Sequence, residues 1–142
     1  MPRGLVSTAS TAVRAPAARV WEALTDPAQI KQYMLGADVV ADWRPGSPIV
    51  WKGEYEGRRY EDKGTILDVD PQRVLRYTHY SPLTGKPDRP EHYHTITVEL
   101  TERHGETAVT LSQDNNPDEE SRAHTAAFWQ AMLDRLKALL ER

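Results

Sequence analysis

Only one stretch of this chain has the length and periodicity of a long helix, and it comes last. Trp129, Leu133, Leu136 and Leu140 recur at helical spacing, with Phe128, Met132 and Leu139 on the flanks. Asn116-Pro117-Asp118-Glu119 reads as its start, with a cap, a proline, and acidic residues on the positive end of the helix dipole. Running to about Glu141, it would extend roughly 37 Å at 1.5 Å per residue. A rod of this kind must bury its apolar stripe against something, and most of the preceding sequence is strand.

Leu5 to Arg14, rich in Ser, Thr and Val, reads as a first strand. Six more follow from Asp38 onward. Asp38 to Trp43 and Pro48 to Tyr55 are separated by the turn cluster Arg44-Pro45-Gly46-Ser47. Glu56-Gly57 is a tight hairpin turn into Arg59 to Asp70, and Pro71-Gln72 turns the chain into Val74 to Tyr80. Ser81 to Glu91, SPLTGKPDRPE, is a loop. Tyr93 to Thr101 and Glu106 to Gln113 are joined at Arg103-His104-Gly105. Strand, helix pair, six strands and long helix make an α+β chain, with one antiparallel sheet against a helix.

The helix pair lies between the first two strands. In RVWEALTDPAQIKQYM, Arg19 to Met34, Pro16 suits a first helical position and Val20, Trp21 and Leu24 share a stripe. Asp26 precedes a proline, so it should leave the helix. It can instead cap a second helix, with Pro27 first and Gln29 third, a variant of the capping box. The expectation is two short helices in a V.

At 142 residues the chain is expected to be one domain, residues 1–142. A mixed net charge of −3 points to neither nucleic acid nor anionic membrane. The absence of cysteine excludes disulfides, thiolate metal sites and cysteine nucleophiles. MPRGLVSTAS lacks the apolar run of a signal peptide and no stretch is long enough to span a bilayer, so a cytoplasmic protein is the expectation. Four Trp and six Tyr stand against one Phe. Such residues pair an apolar body with a polar handle and suit cavity walls as well as cores.

Strand parity selects the inward face. A two-residue turn at Pro71-Gln72 sets Ile66 opposite Tyr77. A turn over Arg103 to Glu106 sets Leu100 opposite Val109, Val98 opposite Leu111 and Ile96 opposite Gln113. Trp51, Leu75, His79 and His94 join that face. On the strand through Ile66, Leu67 and Val69 compete for the inward side. The face is apolar at one end and polar at the other, where Tyr77, His79, His94 and Gln113 gather. Apolar walls with a few convergent polar groups are what small-molecule binding requires. The outer face carries Val50, Leu67, Val69, Val74 and Tyr80, an apolar patch compatible with a homodimer as well as a monomer.

Several chemistries are weighed against these residues. His92 and His94 form a His-x-His pair that can bind a divalent metal with His79 as third ligand, but local hydrogen bonding is the commoner use. No metal or cofactor is expected. His79 or His94 has the chemistry of a general base, with Tyr77 as acid. No aspartate is placed to orient either ring, Asp68 sharing the inward parity only on the ambiguous strand. Neither a Gly-x-Ser-x-Gly elbow nor a phosphate-binding Gly-x-x-x-x-Gly-Lys loop is present.

Three segments carry a resemblance: ARVWEALTDPAQIKQY after the first strand, GTILDVDPQRVLRYT at Gly64 to Thr78, and FWQAMLDRLKALLE at Phe128 to Glu141. In this order they resemble the helix-grip superfamily (SRPBCC, or START-like), which includes polyketide cyclases. They are most similar to its branch related to the activator of the heat-shock protein 90 ATPase. The resemblance implies a sheet of about seven strands curled around the C-terminal helix, with the helix pair closing one end and a cavity between. Tyr33 and Met34 would sit near its mouth. Trp51, Tyr77, Ile96, Phe128, Trp129 and Met132 would form its walls, and His79, His94 and Gln113 would orient a ligand's polar end. The expected function is non-enzymatic binding of a small, largely hydrophobic molecule. The alternatives are a co-chaperone-like domain that binds a chaperone or regulatory protein, and a cyclase-type enzyme.

Overall fold

A computed structural model describes residues 3–142, so the first two residues of the MPRGLVSTAS opening lie outside the described residues. The elements are β1 (Leu5–Val13), α1 (Ala17–Thr25), α2 (Pro27–Tyr33), β2 (Asp38–Ala41), β3 (Pro48–Tyr55), β4 (Arg58–Asp70), β5 (Val74–His79), β6 (His94–Arg103), β7 (Glu106–Asn116) and α3 (Glu119–Leu140). The strands form one antiparallel sheet in the order β1-β7-β6-β5-β4-β3-β2. α3 crosses it, mainly over β1, with α2 beside it at one end. This is the helix-grip fold. No described helix is long and apolar enough to cross a membrane.

The core forms where α3, α1 and the inner sheet face meet. Val13, Val20, Val109, Leu133 and Leu136 are fully buried. Each such side chain contributes about 1.5–3 kcal/mol by leaving water. The polar groups trapped nearby are bonded: Thr107 Oγ1 donates to the Ala15 carbonyl at 2.7 Å, and Ser7 Oγ to that of Arg122 at 2.7 Å. Beyond the helix, Glu141 accepts from the Arg14 N–H and from Lys137 Nζ, both at 2.8 Å. Its carboxyl is held down to about 2, chiefly by Lys137 and then by the Arg14 backbone.

Element ends depart from expectation for identifiable reasons. Asn116 does not cap α3. It is the last residue of β7, paired with Leu5, and its Nδ2 donates to the Leu5 carbonyl at 2.9 Å. Asp118 is the cap, accepting from Ser121 N at 2.8 Å, so α3 has 22 residues and spans about 33 Å. Pro16 lies just before α1 in extended backbone, and the first helical N–H, that of Ala17, is taken by Glu102 of β6 at 2.6 Å. The V of helices forms as expected, with Asp26 accepting from Ala28 N at 3.1 Å. Gln29 reaches the Asp26 carboxylate at 2.8 Å rather than its backbone N–H, so the reciprocal capping box is not made.

The β4–β5 hairpin resolves the ambiguous strand. Its turn has three residues, since Asp70 pairs with Val74, and a bulge between Ile66 and Asp68 restores the pairing of Ile66 with Tyr77. The extra residue changes the parity. Both Ile66 and Val69 face the core, Leu67 turns outward, and Asp68 lies outside with Arg76 at 3.1 Å. Val69 therefore leaves the expected outer patch. So does Tyr80, which is buried, stacked on Tyr93 at 5.3 Å, and donates to the Lys86 carbonyl at 2.6 Å. The β6–β7 register is as expected, with Ile96 opposite Gln113, Val98 opposite Leu111 and Leu100 opposite Val109.

Gly64 lies where β4 passes from pairing mainly with β3 to pairing with β5. A Cβ there would come within 1.8 Å of the Thr78 carbonyl oxygen. Glycine is required by that close approach of two backbones.

Candidate ligand cavity

A cavity of about 370 Å³ lies between the sheet and the face of α3 that carries Thr125, Phe128, Trp129, Met132 and Arg135. Ten of the eleven residues expected from the sequence line it: Met34, Trp51, Tyr77, His79, His94, Ile96, Gln113, Phe128, Trp129 and Met132. Tyr33 does not. It is buried in the core, where its hydroxyl donates to the Ala23 carbonyl at 2.9 Å and burial pushes its phenol well up. It borders a separate, deeper void of about 30 Å³, behind Met34, Trp51, Tyr77 and Met132.

The walls are aromatic. Trp51 packs on Tyr77 at 5.4 Å and edge-on against His79 at 5.0 Å. Phe128 meets Trp129 edge-on at 5.2 Å and remains 41% exposed. Trp129 Nε1 donates to Gln113 Oε1 at 2.7 Å, which satisfies the indole and ties α3 to β7 across the cavity floor. Leu35 and Tyr55, exposed apolar residues, also border the cavity, together with Leu83 and Thr84 of the Pro-rich loop. That loop is held down: Lys63 pairs with Asp88, which accepts from the Tyr93 hydroxyl at 2.6 Å.

The polar groups converge on the sheet wall. His79 pairs directly with His94 across β5 and β6. His79 Nε2 donates to Asp62 Oδ2 at 2.8 Å. His94 Nδ1 donates to the Asp114 carbonyl at 2.9 Å, which leaves Nε2 as an acceptor in the neutral ring. Burial holds His94 below the ordinary histidine value, with the Asp114 bond opposing that and His79 adding to it. Burial likewise raises Tyr77 and, helped by the Asp62 charge, Tyr60. Asp62 Oδ1 is buried and has no hydrogen-bond partner, the one such side-chain atom among the described residues.

Two expectations about chemistry are corrected here. An aspartate does orient a histidine, and it is Asp62 rather than Asp68. Its parity signal was present, since positions 62, 64 and 66 alternate together toward the face of Ile66. The His92–His94 pair does not share a strand face. His92 lies before β6, with Nδ1 turned to the Pro87 carbonyl at 2.7 Å. No group of three or more metal-ligating side chains with metal-holding geometry occurs among the described residues. Sequence reasoning also missed Arg135, which lines the cavity from α3 and whose Nε donates to the Tyr33 carbonyl at 2.8 Å. The spacing of Phe128, Met132 and Arg135 along one helix face was the available signal.

The family described as activator of Hsp90 ATPase homolog 1-like protein matches residues 14–141. The chain belongs to this family. Its structure is similar to the solution structure of ChR145 from Cytophaga hutchinsonii, with 50% identity, 99% of this chain and 97% of that one covered, and a TM-score of 0.86. The Aha1 dimer from Colwellia psychrerythraea matches at 20% identity over 96% of each chain, with a TM-score of 0.76. DynU16, from the dynemicin biosynthetic locus, matches at 21% identity over 96% of this chain and 47% of its own, with a TM-score of 0.79. At these lower identities the likeness is one of fold. No curated protein matches the chain.

Proposed function

We propose that this member of the activator of Hsp90 ATPase homolog 1-like family binds a small, largely apolar molecule in the cavity between α3 and the sheet. The observation that carries this reading is a volume of about 370 Å³, walled by Trp51, Tyr77, Ile96, Trp129 and Met132, with His79, His94 and Gln113 gathered at one side. Filled cores place side chains against one another at crystal-like density. Here the aromatic residues line the space rather than fill it. The polar side chains His79, His94 and Gln113 line the cavity, which favours a small molecule over the alternative of a chaperone or regulatory protein docked on the outer surface.

The test uses a neutral bicyclic aromatic ester, methyl 2-naphthoate, as probe. The melting temperature should rise with probe concentration, as linkage requires. Thr125→Trp, which places a large ring at the half-buried cavity wall on α3, should abolish the rise without lowering the melting temperature of the free protein. An identical rise in Thr125→Trp, or no rise in the folded wild-type protein, overturns the reading.

A second reading, proton transfer by a cyclase-type enzyme, is favoured by one contact, the His79–Asp62 pair. The aspartate fixes the tautomer that leaves Nδ1 as the base. Deuterium exchange at the α-carbon of bound 2-tetralone, lost in His79→Gln, would support it. Exchange no faster than in buffer would exclude it for that ketone.

A further inference from the structure

Three charged side chains line this cavity; Glu54 is exposed at its edge, while Asp62 and Arg135, half-buried on opposite walls, each keep polar atoms without a charged partner. On the sheet wall, Asp62 gives Oδ2 to His79 and keeps Oδ1 buried and unbonded. On the helix wall, half-buried Arg135 spends Nε on the Tyr33 carbonyl and forms no salt bridge among the described residues. A buried acceptor without a donor carries its full desolvation cost. A guanidinium fixed through Nε presents both Nη groups as a planar fork, the geometry that receives a carboxylate through two parallel bonds. Met34, Leu35 and Met132 line the same cavity, and Trp129 sits six residues earlier on α3, roughly 9 Å along the axis. Asp62 and Arg135 do not pair with each other, because the cavity lies between the walls that carry them.

Resting on the cavity reading above, we propose that the occupant is an amphipathic hydroxy acid. Its carboxylate is received by the Nη fork of Arg135, its apolar body lies against Trp51, Tyr77 and Trp129, and its hydroxyl donates to Asp62 Oδ1, which a rotation of the Asp62 carboxylate must first turn toward the cavity because that oxygen is buried. Arg135 then has two roles, since its Nε closes the last carbonyl of α2 and so fixes the fork in place. The ligand supplies the donor that the protein withholds from Asp62. A neutral ester of the same shape would leave the Arg135 fork without its anion.

Calorimetric titration of the full chain with three probes tests this: 6-hydroxy-2-naphthoic acid, its methyl ester, and 2-naphthoic acid. The hydroxy acid should bind about tenfold more tightly than the ester, and removal of the hydroxyl should weaken the acid by a similar factor. In Arg135→Gln the preference for the acid over the ester should vanish, whatever the affinity for the ester itself becomes. Arg135→Lys should recover only part of the preference, since it restores charge without the fork. Equal affinity of acid and ester in the wild-type protein overturns the proposal while leaving the cavity reading intact, and needs no variant to be decisive. A preference that persists in Arg135→Gln overturns the assignment of Arg135. Failure of all three probes and of methyl 2-naphthoate to bind the folded protein overturns the cavity reading and this proposal together.

Discussion

Helix α3 makes two different interfaces with one sheet. Its C-terminal half is packed: Leu133 and Leu136 are fully buried in one core with Val13, Val20 and Val109, and Glu141 ties the helix end to Arg14, just beyond β1. Its N-terminal half carries residues of equal or greater size, Phe128 and Trp129, yet borders open space, which Met132 flanks from the next turn. Side-chain volume is not what differs. At the packed half, α1 and β1 bring neighbours onto the helix and the trapped polar group Thr107 is bonded. At the cavity, exposed Leu35, Tyr55 and Phe128 border the gap, and one carboxylate oxygen lacks a partner. The fold is specified at one half of the helix, which leaves the other free to deviate from close packing. Local exceptions of this kind mark functional sites.

The contrast breaks most directly by truncation on the two halves. Leu133→Ala should cost about 2–5 kcal/mol, because it removes a fully buried side chain and leaves a hole in rigid surroundings. Phe128→Ala, 41% exposed and already facing a cavity, should cost under about 1 kcal/mol despite deleting more atoms. Urea unfolding at neutral pH measures both. Equal losses would mean that the two halves are packed alike and that the cavity is closed in solution.

Gly64→Ala sharpens the comparison at the sheet. The added methyl would collide with the Thr78 carbonyl, and backbone cannot yield as a side-chain tip does. A loss of about 1–3 kcal/mol is expected, as for overpacking elsewhere. Gly64 lies two residues from Asp62 on β4, so a displacement there should also weaken probe binding beyond what its stability loss explains. Unchanged stability would show that β4 and β5 can separate here at no cost.

The packed half was the more legible in sequence. Period-2 alternation and the β6–β7 turn placed Val98, Leu100, Val109 and Leu111 inward, where they are found, since burial on one face enforces that pattern. The β4–β5 hairpin was legible only in part. A three-residue turn and a bulge at Leu67 cancel in register, so the pairing of Ile66 with Tyr77 was read correctly while Val69 and Asp68 were not. At the cavity, apolar and aromatic residues identified themselves by parity. Asp62 and Arg135 did not, because a charged residue at an inward position reads as a solvated one until a void is known to lie beside it. Tyr33 shows the converse, its position at a helix end having suggested the mouth although its hydroxyl bonds a carbonyl in the core.

The smallest expected effect concerns His94, the buried histidine of the sheet wall. Burial favours its neutral form in the folded chain, and His79 opposite and Lys86 nearby act in the same direction, while the Asp114 carbonyl and carboxylate oppose them. As pH falls below about 6.5, the unfolded chain takes up a proton at this position that the folded chain resists. Stability contributed by the depressed histidine is therefore present above that pH and lost as pH falls toward the folded value. The slope is at most about 1.4 kcal/mol per pH unit inside that window and zero outside it. His94→Gln keeps a polar side chain at the site without a titrating ring. Urea unfolding of the two proteins between pH 7.5 and 5.5 isolates the term, because the carboxylates common to both cancel in the difference. The wild-type protein should lose stability relative to His94→Gln as pH falls. A difference independent of pH would mean that His94 titrates alike in folded and unfolded chains, and that water reaches the cavity's sheet wall freely enough to solvate its charge.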